Sequence, residues 1–201
     1  VLSNPKPLPD STRQSLEMVQ TEIKRLTRLV ESILDLSVLD AGKMPLYPEP
    51  FGLPEMEADL RRHYFSVPGS ERIQWSIDPS LPAVSADRQA LMSVFLHVID
   101  NALKYAPEGE IVIAAGEVDG RVVCSVSDHG AGIPQEVLDQ IFDQFFRVEN
   151  SDARVIYGHG LGLYMARKML QAMGGDIRGV NRPEGGAQFE FWGPTAGCDD
   201  E

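Results

Sequence analysis

Arg121-Val122-Val123-Cys124-Ser125-Val126-Ser127 runs directly into Asp128-His129-Gly130-Ala131-Gly132-Ile133-Pro134. The first seven residues are rich in β-branched side chains and alternate enough to predict a strand. Asp128 therefore stands where a strand ends. The two glycines let backbone approach a flat ligand, or turn at positive φ. The carboxylate is an acceptor suited to an exocyclic amine. Taken alone, the stretch also fits an ordinary Asp-x-Gly turn.

Three further segments change that reading. Upstream lies His97-Val98-Ile99-Asp100-Asn101-Ala102-Leu103-Lys104-Tyr105. Downstream lie Phe142-Asp143-Gln144-Phe145-Phe146-Arg147 and Gly158-His159-Gly160-Leu161-Gly162-Leu163. Asn-Ala-x-Lys-Tyr, Asp-x-Gly-x-Gly, Phe-x-x-Phe-Phe-Arg and Gly-x-Gly-x-Gly-Leu, in this order, resemble the catalytic ATP-binding domain of two-component sensor histidine kinases. That nucleotide fold is shared with gyrase-type ATPases. The ordered set is far more specific than any one box, since a lone glycine box also fits a flexible linker.

The chain has 201 residues, room for one full domain and an appendage. Its net charge of −12 argues against a nucleic-acid partner and disfavours broad contact with anionic membrane. It need not repel ATP, because amides, a lysine and a metal ion dominate locally. Cys124 and Cys198 do not suggest a disulfide framework, and a reducing cytoplasm fits. No run of about 18 apolar residues is present to span a membrane. With Val at its start and no signal peptide, the chain reads as a piece of a larger protein, whose membrane anchoring is open.

Residues 10–41 predict a long helix, ended by Gly42. Leu16, Val19, Ile23, Leu26, Val30 and Ile33 follow 3-4-3-4-3 spacing, and Leu29 and Leu36 widen the stripe beyond a two-stranded seam. The helix resembles the second helix of a kinase dimerisation domain; periodicity alone also fits a generic coiled-coil linker. Residues 45–51 predict a hinge or edge strand. Helices are expected over 53–67, 87–105, 134–142 and 160–173. Strands are expected over 73–77, 110–117, 121–127, 175–180 and 188–192, with Asp119-Gly120 turning a hairpin. Residues 147–158 predict a mobile loop with Phe142, Phe145 and Phe146 as local core at its edge. This order implies an α+β fold: a two-layer α/β sandwich with a mixed sheet and helices on one face, preceded by a long helix. The expected division is 1–43 partial dimerisation domain, 44–195 ATP-binding catalytic domain, and 196–201 disordered tail.

At about 100° per residue, Ser93, His97, Asn101 and Lys104 share one narrow stripe of a helix whose remaining surface is mostly apolar. A helix apolar over most of its circumference is buried, so its polar stripe faces solvent or a polar ligand. The resemblance assigns Asn101 to Mg²⁺, Lys104 to the phosphates and Tyr105 to the adenine side. It assigns Asp128 to the adenine amine, with Gly130, Gly132 and Ile133 admitting the base. Gly158, His159, Gly160, Leu161, Gly162 and Leu163 lead into a helix start that favours phosphate. Arg147 either reaches the γ-phosphate or is solvated.

Three positions depart from the family pattern. His97 replaces a second asparagine, His159 a small hydroxyl residue, and Ala187 a common threonine. A phosphoacceptor histidine followed by an acid, an arginine and a proline is also missing from the chain. The resemblance implies transfer of the ATP γ-phosphate to a histidine outside these residues, then to a response-regulator receiver domain. The parent would be a homodimer through its dimerisation helices. The rival readings are a degenerate nucleotide-sensing or scaffolding module and a serine kinase of anti-sigma type; the heptad helix argues against the latter.

Overall fold

The computed structural model describes residues 10–42, 44–148 and 159–193. The expectations for residues 149–158, for Gly158 within them, and for the tail at 196–201 lie outside the described residues. No described helix is long and apolar enough to cross a membrane.

Helix α1 spans Asp10–Asp40, and the chain turns at Gly42 with φ +62°. Leu16, Val19, Ile23, Leu26, Val30 and Ile33 are exposed along it. Leu36 and Leu39, near its end, are buried in the core of the domain that follows. The proline-rich segment then forms a short strand β1 (Glu49–Phe51), paired antiparallel with β3 (Val84–Ala86). Of the 45–51 stretch, only Glu49–Phe51 is strand. Its partner β3 was not anticipated, because three residues are too few to show a period.

Between these strands come α2 (Leu53–Tyr64) and β2 (Ile73–Ile77). Helix α2 stops three residues short of the expected end. Helix α3 (Arg88–Tyr105) starts on Asp87, whose Oδ1 accepts from the amides of Gln89 at 3.0 Å and Ala90 at 2.9 Å. That satisfies two of the amides a helix start leaves without partners. Its Oδ2 accepts from the Tyr47 amide at 2.9 Å, tying the segment after α1 to this helix.

Strands β4 (Ile111–Val118) and β5 (Arg121–Ser127) form the expected hairpin. Asp119 and Gly120 both sit at positive φ, +52° and +75°, as a two-residue turn between twisted strands requires. The expected helix over 134–142 is instead two single 3₁₀ turns, Gln135–Val137 and Gln140–Phe142. So short a segment, anchored by Ile141 and Phe142, gains too few i→i+4 bonds to nucleate an α-helix. Helix α4 (Gly162–Ala172), β6 (Asp176–Asn181) and β7 (Ala187–Trp192) complete the domain.

The sheet runs β2-β4-β5-β7-β6, with β2 parallel to β4 and every other pair antiparallel. Burial alternates along the strands. Ile111, Ile113, Val122, Cys124, Val126, Phe189 and Phe191 point into the core, where the helices cover them. Phe95 of α3 meets Phe191 edge-on at 4.9 Å between ring centres, an arrangement favoured by the ring quadrupoles. The Cys124 thiol is fully enclosed, and burial pushes its pKa up to about 12. The mixed-sheet α+β architecture is as expected, and it brings the ends of α3, β5 and β6 and the starts of β7 and α4 to one side.

Candidate functional site

Ser93, His97, Asn101 and Lys104 are half-buried on α3, flanked by the fully buried Val94, Val98, Ile99 and Ala102. The Asn101 carboxamide has no partner among the described residues. Its neighbour Asp100 accepts a 2.7 Å bond from the Tyr64 hydroxyl of α2, which braces this turn of the helix. Burial, then the charge of Asp100, pushes the Tyr64 phenol far above its usual range. Lys104 places its ammonium 4.6 Å from the Tyr105 ring centre and donates to the Tyr105 hydroxyl at 3.3 Å. Tyr105 itself is exposed, so the pair stands at the rim.

Asp128 ends β5 and is 5 % exposed. Its Oδ1 accepts from the Gly130 amide at 2.8 Å and the Ala187 amide at 3.2 Å. Its Oδ2 has no partner among the described residues. A buried carboxylate oxygen without a donor is costly unless a ligand supplies one. A Cβ on Gly130 would meet the Tyr105 carbonyl at 2.8 Å and Ala106 Cβ at 3.3 Å, so glycine lets this loop pack under the end of α3. Gly132 turns at φ +75°. Ile133 is half-buried against the core; its main chain, not its side chain, is the constrained part.

The glycine box faces the same cleft. Space for a Cβ on Gly162 lies 3.6 Å from His97 Nδ1, which sets the start of α4 against the α3 stripe. No side chain caps α4, so the positive end of its dipole is not offset by a capping side chain. Gly160 at φ +67° is wedged against the Phe145 and Phe146 carbonyls, and its own carbonyl accepts from the Phe145 amide at 2.9 Å. Leu161 is buried and Leu163 half-buried, both in the core, so they anchor the helix start. His159 is half-buried beside them and Arg147 is exposed.

One expectation fails outright. Phe145 is not core: it is 55 % exposed at φ +63°, because its backbone is committed to the Gly160 contact. Phe142 and Phe146 do pack inward.

Sequence reading also missed the β6–β7 hairpin as part of the site. Arg182 donates to the Asp128 carbonyl at 3.0 Å and to His129 Nε2 at 3.3 Å, while His129 Nδ1 lies 2.9 Å from the Glu110 carbonyl. These contacts fit the Nδ1–H tautomer. Glu184 pairs with Arg182, whose hydrogen bond holds the carboxyl below its usual range. Gly185-Gly186 fits a tight turn, but no local pattern ties it to a loop more than 50 residues earlier.

Among the described residues no three His, Cys, Asp or Glu side chains gather to hold a metal ion. A metal here would rest on the Asn101 oxygen, the ligand's own oxygens and water, a hard set that suits Mg²⁺.

The family model described as histidine kinase-, DNA gyrase B- and HSP90-like ATPase matches residues 86–197. The adaptive-response sensory kinase SasA of Nostoc sp. is 29 % identical over 186 residues, covering 90 % of this chain and 45 % of that protein. Full-length ShkA in complex with AMPPNP superposes with a TM-score of 0.79 at 27 % identity, covering 94 % of this chain and 40 % of that one. The histidine kinase ThkA, solved with the response regulator protein TrrA, gives 0.72 at 25 % identity, covering 94 % and 53 %. The chain spans less than half the length of curated relatives such as SasA.

Proposed function

From the premise that this chain belongs to the histidine kinase-, DNA gyrase B- and HSP90-like ATPase family, we propose that residues 44–195 bind Mg²⁺–ATP and hold it for phosphoryl transfer to a histidine. The acceptor lies on a separate segment, and the phosphoryl group passes on to a response-regulator receiver domain. The exposed heptad face of α1 serves as half of a dimerisation bundle in the parent protein. The domain works on the cytoplasmic side. The named relatives are sensor kinases, which favours this reading over a scaffold or a serine kinase.

The observation that carries the proposal is the convergence of Asp128, with one bare buried oxygen, on the polar stripe of α3 and the uncapped start of α4. Asp128 Oδ2 accepts from the adenine amine. Gly130 and Gly132 let the loop that carries the base pack against the end of α3 and against Asn181. The first amides of α4 and the Lys104 ammonium, swung from Tyr105, hold the phosphates. Asn101 supplies an oxygen to the metal, which neutralises phosphate charge when bound. Catalysis is then positioning and electrostatic stabilisation rather than covalent chemistry by the protein.

Base choice tests the site. Guanine presents a carbonyl where adenine presents its amine, so Asp128 meets an acceptor with an acceptor. Calorimetry is expected to show ATP bound more tightly than GTP, and Asp128→Ala to lose about 1.5–3 kcal/mol of ATP affinity. A wild type without that preference removes Asp128 as base reader.

Transfer is tested with γ-labelled ATP. Acid-labile label is expected on an added acceptor-helix segment of the parent protein and not on this chain. His129 is engaged by Arg182 and the Glu110 carbonyl, His63 lies edge-on to Tyr64 on α2, and His97 and His159 lie within the nucleotide cleft. Stoichiometric acid-labile label on this chain alone would contradict the assignment.

A further inference from the structure

The Asp128–Ile133 loop has two ends, and the structure holds them by different means. At the Asp128 end, β7 supplies both an amide and a carbonyl from Ala187, and Arg182 adds a donor to the Asp128 carbonyl. Gly186, at φ +88°, lies so close that a Cβ there would be 2.0 Å from the Asp128 carbonyl oxygen. At the other end the main chain of Ile133 is held by one side chain. Asn181 Oδ1 accepts from the Ile133 amide at 2.8 Å, and Asn181 Nδ2 donates to the Ile133 carbonyl at 2.6 Å. Neither main-chain group of Ile133 has another partner among the described residues. Gly132 closes the same contact: a Cβ there would lie 2.9 Å from Asn181 Oδ1.

We infer that Asn181 is a positioning residue for the nucleotide base, a role that rests on the site reading proposed above. Between the two ends, beyond His129, runs Gly130-Ala131-Gly132, backbone with much freedom to lose. With one end free, that segment wanders and the base no longer meets Asp128 in a single geometry. A two-point grip needs a group that donates and accepts in one plane, which a carboxamide provides. Asn181 is the last residue of β6, paired with Ala187 of β7. The strand pair that places the Asp128 end therefore also places the grip at the other end, so the spacing of the two is set by one hairpin.

The test compares ADP and GDP affinities by calorimetry for wild type, Asn181→Ala, Asn181→Asp and Asp128→Ala. Asn181→Asp keeps the shape and the bond from the Ile133 amide, but sets an acceptor against the Ile133 carbonyl. It preserves packing should Asn181→Ala fold poorly. ADP affinity is expected to fall about tenfold in both Asn181 variants, the scale of one or two lost neutral hydrogen bonds, with GDP affinity unchanged. The ADP:GDP ratio then shrinks by the same factor. Hydrogen exchange over 128–133 should rise while α3 and β4 stay protected. A parallel loss for both nucleotides would mark a merely structural role and overturn the inference. So would an unchanged ratio in the Asn181 variants; if Asp128→Ala still removes the preference, the base-reading assignment stands without it. Absence of any adenine preference in wild type overturns both.

Discussion

Gly186→Ala is expected to destabilise the protein by about 2–5 kcal/mol, and to cost the folded fraction most of its nucleotide affinity. Two effects combine. The residue sits at φ +88°, where an alanine is strained, and its Cβ would lie 2.0 Å from the Asp128 carbonyl oxygen and 2.8 Å from His129 Cα. Both obstacles are backbone, so no side-chain rotation relieves them. The strand end that carries Asp128 must move. Gly185→Ala is the internal control: its φ is +99°, with no atom within 4 Å of the added carbon. It bears the backbone strain alone, on the order of 1–2 kcal/mol. Urea unfolding of the two variants separates strain from collision. Equal losses would mean the hairpin does not press on the Asp128 loop.

Asn101→Ala is expected to reduce ATP affinity in the presence of Mg²⁺ by about 100-fold, roughly 2.7 kcal/mol, while leaving affinity in a chelator unchanged. The side chain is half-buried and without a partner among the described residues, so its removal breaks no hydrogen bond among them. The melting temperature of the ligand-free protein should stay close to wild type, which isolates the loss to the metal-bound complex. Titrations with and without Mg²⁺ decide it. An Asn101→Ala protein that binds ATP as wild type does, and still responds to Mg²⁺, would take Asn101 out of the metal site.

The parts of the site legible in the sequence are those encoded by local periodicity. Helix α3 is apolar over most of its circumference, and the polar row Ser93, His97, Asn101 and Lys104 that interrupts it is half-buried in the structure. The Asp-x-Gly-x-Gly loop was legible because a strand pattern stops at Asp128. The hairpin residues were not. Asn181 reaches Ile133 across 48 positions, and Ala187 reaches Asp128 across 59, so no window along the chain contains both partners. The same limit explains Phe145: three aromatics in five residues look like core, and only the distant Gly160 turns one of them outward. Strand β3 escaped because its pairing with β1 is also distant, Val84 opposite Phe51.

Cys124 sits mid-strand in β5, with β4 on one side and β7 on the other. Its side chain points from the sheet into the core beneath the helices, and at pH 8 a thiol pushed up to about 12 is almost wholly protonated. Alkylation at this position therefore waits for the helical layer to lift from the sheet. The molecule carries its own chemical clock: the rate at which a reagent marks Cys124 counts the rarest, deepest openings of the domain, and a nucleotide that binds the closed state should slow that clock in proportion to its occupancy.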